Sequence, residues 1–220
     1  MIRLYGLVDG LADLPAARGV AGERLERRTI DGIMAIVGKA ASDDPGADKE
    51  AILRHAQVVD ELFARSGAML PARYGRGFVD EAALAAAVRA NASELHAALG
   101  RVRGCVELGV RALAPATPEP PRRAATGREY MRGRLAELGK SERLALELHE
   151  TLARCARASE RNVELRSRFL LSASYLVPKD DVETFRRTVQ SLQDAHPHVS
   201  IVCTGPWPPY SFTSAPEAQA

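Results

Sequence analysis

Short apolar runs punctuated by glycine, proline and aspartate dominate the start of the chain, and longer stripes at helical spacing follow. Residues 2–8 form an apolar run that predicts a strand beginning almost at the first residue. A stretch containing glycine, alanine and proline then predicts a loop to Gly22. Residues 25–30 and 33–37 flank Asp31-Gly32, two residues suited to positive φ, and predict a hairpin. After a polar break at 41–46, Asp48 is placed to cap a helix over residues 49–65. Its stripe of Ile52, His55, Val59, Leu62 and Phe63 recurs at the spacing of one helix face. Residues 68–75 predict a strand made irregular by Pro71. A helix is expected from Asp80-Glu81, whose charges suit the N-terminal dipole, to about Leu99. Leu84, Val88, Leu95 and Leu99 mark its inner face, and residues 105–113 then alternate as a strand does.

Pro115, Pro118, Pro120 and Pro121 crowd residues 114–126, a linker-like composition where a domain boundary is expected. Residues 127–159 predict a long helical stretch, with Ser141 placed to cap a restart after Gly139. Leu135, Leu138, Leu148, Leu152 and Cys155 form a narrow seam at near-heptad spacing. Arginines there alternate with glutamates, the pattern of a solvated helix face and not of a nucleic-acid arm. Residues 161–166 and 169–177 predict strands, and Asp180-Asp181 caps a helix through about Gln193. The last strand is expected at 199–203, with Gly205-Pro206 stopping it because proline donates nothing to a ladder. Pro208-Pro209 then predicts a stiff extended segment that holds Trp207, Tyr210 and Phe212 as a clamp.

This order predicts an α+β protein of two domains. Residues 1–114 would carry a mixed or antiparallel sheet with packed helices, and 115–126 a proline-rich linker. Residues 127–212 would form a ferredoxin-like α+β domain with the long helical segment, ahead of a tail at 213–220.

Composition narrows the chemistry. Thirty basic against 28 acidic residues leave a net charge of +2, which gives no field for nucleic acid or an anionic membrane surface. Cys105, Cys155 and Cys203 are odd in number and far apart, which fits a reducing cytosol better than a disulfide framework. No apolar run reaches the roughly 18 residues of a membrane span, and no signal-peptide core precedes Asp9. His55 sits on an apolar stripe without companion carboxylates or cysteines, so a hydrogen-bonded half-buried histidine is favoured over a ligand. His196-Pro197-His198 reads as a turn and not as a metal site, since further ligands are missing. Gly75-Arg76-Gly77 lacks the spacing of a dinucleotide loop. Catalytic, metal and cofactor-binding residues are therefore assigned to none.

Several segments, in order, resemble the gas vesicle protein F/L family. They are Leu4-Tyr5-Gly6, Leu70-Pro71-Ala72-Arg73-Tyr74-Gly75 with Phe78-Val79-Asp80-Glu81, and Val106-Glu107-Leu108-Gly109-Val110. Ala173-Ser174-Tyr175-Leu176-Val177 and Thr204-Gly205-Pro206-Trp207-Pro208-Pro209-Tyr210-Ser211-Phe212 follow, the last being the most specific. The resemblance implies a non-enzymatic gas vesicle accessory protein without cofactor. It would assist shell assembly by contacting the small hydrophobic major shell protein and other accessory proteins, in the cytoplasm and at the vesicle. On that reading Arg73 and Tyr74 are interaction candidates at a strand end near the domain junction, and Trp207, Tyr210 and Phe212 would bridge the two halves. The competing expectation is a ferredoxin-like enzyme or small-molecule binder in which His55, Arg73 and Tyr74 line a deep apolar pocket.

Overall fold

The computed structural model describes residues 1–39, 48–113, 127–161 and 169–213. The expected 115–126 linker, residues 162–166 of one expected strand and the tail from residue 214 lie outside the described residues. Packing divides the chain into two units, residues 1–106 with 207–220, and residues 107–206.

In the first unit, β1 (Ile2–Asp9) lies inside a sheet of order β2-β3-β1-β4, with β2 at Leu25–Ile30, β3 at Ile33–Lys39 and β4 at Ala68–Pro71. A two-residue β5 (Gly77–Phe78) also pairs with β1. The hairpin forms at Asp31 (φ 48°) and Gly32 (φ 79°), whose paired left-handed backbones match the twist of the flanking strands. β1 carries a bulge: Leu4 pairs with Val37 and Gly6 with Ile36, leaving Tyr5 as an extra residue. Residues three apart therefore share a face. Tyr5 and Val8 join Ile36 and Met69 in a core cluster closed by Val58, Val59 and Leu62 of α1 (Lys49–Arg65). Leu4, Leu7 and Leu70 face the other way, toward α2 (Glu81–Ala90) and α3 (Ala92–Val102).

Two local expectations change. The helix expected from 80 to 99 is split at Asn91 (φ −123°, ψ 16°). Its side-chain amide donates to the Ala87 carbonyl at 2.9 Å, and its backbone N–H donates to Val88. Asparagine competes with the helix ladder in this way, and the apolar stripe hides the break because both helices bury one face. The strand expected to 75 ends at Pro71. The Ala72 N–H still reaches the Tyr5 carbonyl, but Arg73 to Arg76 then turns, with Gly75 at φ 84°.

The second unit is a sheet of order β7-β8-β6-β9, formed by β6 (Cys105–Leu113), β7 (Ala158–Arg161), β8 (Phe169–Pro178) and β9 (Ser200–Trp207). α4 (Gly127–Ala153) follows β6, α5 (Val182–Ala195) follows β8, and both helices pack on β8. The order β-α-β-β-α-β with this strand arrangement is ferredoxin-like. Its first strand is β6, which the sequence reading placed with the N-terminal domain. The core packs Tyr175 against Phe185 (5.2 Å between ring centroids) and His149, with Leu148 and Leu152 of α4 buried beside them. α4 runs unbroken past Ser141, and the Gln193 amide joins α5 to β9 by accepting from Ile201 and donating to the Val199 carbonyl.

β9 does not stop at Gly205. It continues through Gly205 (φ 107°) and Pro206 to Trp207. β9 is an edge strand, paired on one side only, and that is where a sheet tolerates proline.

Candidate functional site

The buried polar groups of the first unit converge on the bulged Tyr5. Its hydroxyl donates to Glu23 Oε1 at 2.7 Å and accepts from the Val20 N–H at 2.9 Å. Arg3 Nη1 donates to the same carboxylate oxygen at 2.8 Å, and the Ala21 N–H donates to Glu23 Oε2 at 2.7 Å. Burial alone would raise the Glu23 pKa. The hydrogen bonds from Tyr5 and the backbone, with the Arg3 charge, outweigh it and hold the carboxyl below its usual range. Burial first and the Glu23 carboxylate second push the Tyr5 phenol far up, so it stays a neutral donor. A Cβ at Gly19 would collide with both Glu23 and the Tyr5 hydroxyl, so that residue must be glycine for the loop to close over the network. The arrangement ties the 10–24 loop to β1. It holds no group ready to exchange a proton.

His55 stacks on Tyr5 at 5.2 Å and meets the edge of Tyr74 at 5.6 Å. The ring is 2% exposed, and Nε2 donates to the Ala72 carbonyl at 2.9 Å. Among the described residues the buried Nδ1 has no hydrogen-bond partner. Burial, aided by the nearby Arg3 charge, pushes the imidazole pKa down. A neutral ring enclosed by two tyrosines cannot reach a substrate; it packs α1 against the 72–76 turn.

Arg73 and Tyr74 sit on that turn, and they point to different places. Tyr74 closes over His55, whereas Arg73 joins Arg76 in lining a cleft of about 190 Å³ on the opposite face of the sheet. Leu4 and Leu7 of β1, Leu84 and Val88 of α2, and Leu95 of α3 supply its apolar walls. Phe78 and Thr213 contribute as well. The pocket expected from His55, Arg73 and Tyr74 together is thus not formed: only Arg73 of the three lines the cleft.

The C-terminal aromatics also separate. Phe212 is 3% exposed, and its carbonyl accepts from Arg101 Nη2 at 3.2 Å. Tyr210 packs against the Tyr5–α1 cluster, where burial and then Asp60 push its phenol up to about 12. Pro208 and Pro209 are buried, but Trp207 is 51% exposed. Tyr210 and Phe212 belong to the core of the first unit.

In the second unit the leucine seam of α4 divides. Ala145, Leu148 and Leu152 are buried, while Met131, Leu135 (64%), Leu138 (61%) and Leu146 are exposed. Exposed apolar residues at spacings of four, three and eight form one stripe along the helix. Sequence reasoning found Leu135 and Leu138 but ran them into the core seam, and it missed Met131 and Leu146. The Arg3–Glu23–Tyr5 network was missed entirely, since its members lie 18 and 20 residues apart across a loop without periodicity. Among the described residues no three His, Cys, Asp or Glu side chains converge on a metal-sized site, and no helix is long and apolar enough to cross a membrane.

A family model described as gas vesicle synthesis protein GvpL/GvpF matches residues 2–214. The chain is 28% identical over 212 residues to gas vesicle protein F2 of Halobacterium salinarum, covering 94% of this chain and 89% of that protein. It is 32% identical to gas vesicle protein L of a Streptomyces species over 142 residues, 54% of this chain and 53% of that one. The crystal structure of GvpF from Anabaena sp. PCC7120 superimposes with a TM-score of 0.82 at 18% identity, covering 100% of this chain and 98% of that one. GvpF from Microcystis aeruginosa gives 0.78 at 17% identity, covering 96% and 98%. At those identities the two structures show the fold.

Proposed function

The chain belongs to the gas vesicle synthesis protein GvpL/GvpF family, and from that we propose a non-enzymatic accessory protein that assists assembly of the vesicle shell. The family gives it a gas vesicle role. The finer reading is that it acts at the vesicle by binding the hydrophobic major shell protein and other accessory proteins, without a cofactor. The observation that carries this binding role is the α4 stripe of Met131, Leu135, Leu138 and Leu146. Four large apolar side chains on one exposed helix face are costly in water and suit a partner that offers an amphipathic surface. From Met131 to Leu146 the stripe runs for about 22 Å, at 1.5 Å per residue.

The test is co-expression of the full chain with the major shell protein. The two are expected to co-purify, with more shell protein in the soluble fraction. A Leu135→Glu, Leu138→Glu double variant should lose capture while its melting temperature stays unchanged, because neither side chain belongs to the core. If the wild-type chain neither captures the shell protein nor alters its solubility, the proposed function is wrong.

A further inference from the structure

Resting on that accessory reading, we infer that the cleft between the sheet of the first unit and helices α2 and α3 is an anchor site for a partner polypeptide. The partner presents a leucine- to phenylalanine-sized side chain next to a carboxylate. Size is the first argument. At about 190 Å³ the cleft exceeds the roughly 150 Å³ apolar cavity that holds benzene. It falls short of the roughly 300–1,000 Å³ of sites that enclose whole small molecules. One large apolar side chain fits; a cofactor does not.

Charge is the second argument. Among the described residues the charged groups lining the cleft are Arg73 and Arg76, both cationic, and neither Asp nor Glu lines it. Arg76 lies over the Phe78 ring at 5.7 Å, which fixes its guanidinium beside the apolar wall. Arg73 is exposed on the 73–76 turn, and its guanidinium is offered to a carboxylate in the planar, two-pronged geometry that arginine favours. An apolar pocket with a cationic rim has the form of an interface hot spot, in which one buried anchor is oriented by a charge at its edge.

The competing occupant is the chain itself. Thr213 lines the cleft, and residues 214–220 with Glu217 follow it.

The experiment compares capture of the co-expressed major shell protein by the wild-type full chain and by three variants. Ala87→Leu fills the cleft from the α2 wall with a residue that favours helix. Arg73→Glu reverses the rim charge at an exposed position, and Arg73→Lys keeps it. Circular dichroism melts establish that each variant is folded. Ala87→Leu and Arg73→Glu are each expected to lower capture about tenfold or more, the scale of a hot-spot residue. Arg73→Lys should retain most of it. Wild-type capture by both Ala87→Leu and Arg73→Glu overturns the anchor site and leaves the accessory function standing. No capture by the wild type defeats the accessory function, and the anchor site falls with it. A truncation after Thr213 that raises capture about tenfold assigns the cleft to the chain's own tail and also overturns the proposal.

Discussion

Replacing Tyr5 by phenylalanine removes one oxygen from the centre of the first unit and leaves the ring's packing on His55 intact. Two hydrogen bonds disappear. The donation to the ionised Glu23 at 2.7 Å is of the charge-assisted kind, worth about 1.5–3 kcal/mol. The Val20 N–H loses its acceptor at 2.9 Å, which adds about 0.5–1 kcal/mol at a partly buried position. The expected loss is therefore about 2–4 kcal/mol, a large share of the 5–15 kcal/mol typical of a domain. Urea unfolding followed by circular dichroism measures it as a lower midpoint at unchanged slope. Glu23 is depressed in the folded state, so the stability it supplies is complete above its unfolded pKa of about 4.3 and is lost as pH falls through the folded value. The Tyr5→Phe deficit should shrink over that acid window, and Glu23→Gln should flatten the pH dependence there. A deficit under about 0.5 kcal/mol at neutral pH would refute the claim that this network fastens the loop to β1.

Two further outcomes follow from burial. Phe212→Ala should cost about 3–5 kcal/mol and Trp207→Ala about 1 kcal/mol or less, read from urea midpoints, because only the first ring is in the core. Equal losses would contradict the separation of the two aromatics. His55 is held neutral by burial, so its folded pKa lies below the ordinary 6.5. The unfolded chain gains that proton first, so stability is complete above about pH 6.5 and declines below it toward the folded pKa. Ring signals of His55 in an NMR titration should show a midpoint below the ordinary 6.5; titration at or above 6.5 would show that the ring is not enclosed.

Periodicity carried the parts of this fold that depend on one element at a time. The β1 run, the Asp31-Gly32 hairpin and the α1 stripe are local, and each formed where its pattern indicated. What depended on pairing between distant segments was not legible. β6 alternates as any half-buried strand does, and nothing in its residues says which sheet it joins. Assigned to the first domain, it left the second reading as α-β-β-α-β, one strand short of the ferredoxin-like order that it completes. Pro206 was misread for a related reason: a proline ends an inner strand but not an edge one, and edge position belongs to the sheet. At the candidate sites the same division holds. The stripe spacing on α4 was visible, but exposure of Leu135 beside burial of Leu148 is set by where α5 and β8 stop covering the helix. The Arg73–Arg76 cleft depends on the Tyr5 bulge, which turns Leu4 and Leu7 to one face; a regular strand would have put them on opposite faces.

The C-terminal segment shows why the most recognisable stretch of a chain need not be its contact surface. Pro208, Pro209 and Phe212 are buried and Tyr210 packs on the Tyr5–α1 cluster, so each position is limited by the shape of close-packed neighbours. A substitution there leaves a cavity or forces a clash, and few residues satisfy both limits. The α4 stripe works under a looser rule. On the proposed reading Met131, Leu135, Leu138 and Leu146 need only be large and apolar on one face to meet a partner. A sequence of that kind reads like any amphipathic helix and carries no distinctive wording. On the proposed reading the signature and the contact surface lie on different segments, because packing against the protein's own core constrains identity, whereas a groove or stripe constrains little beyond size, polarity and spacing.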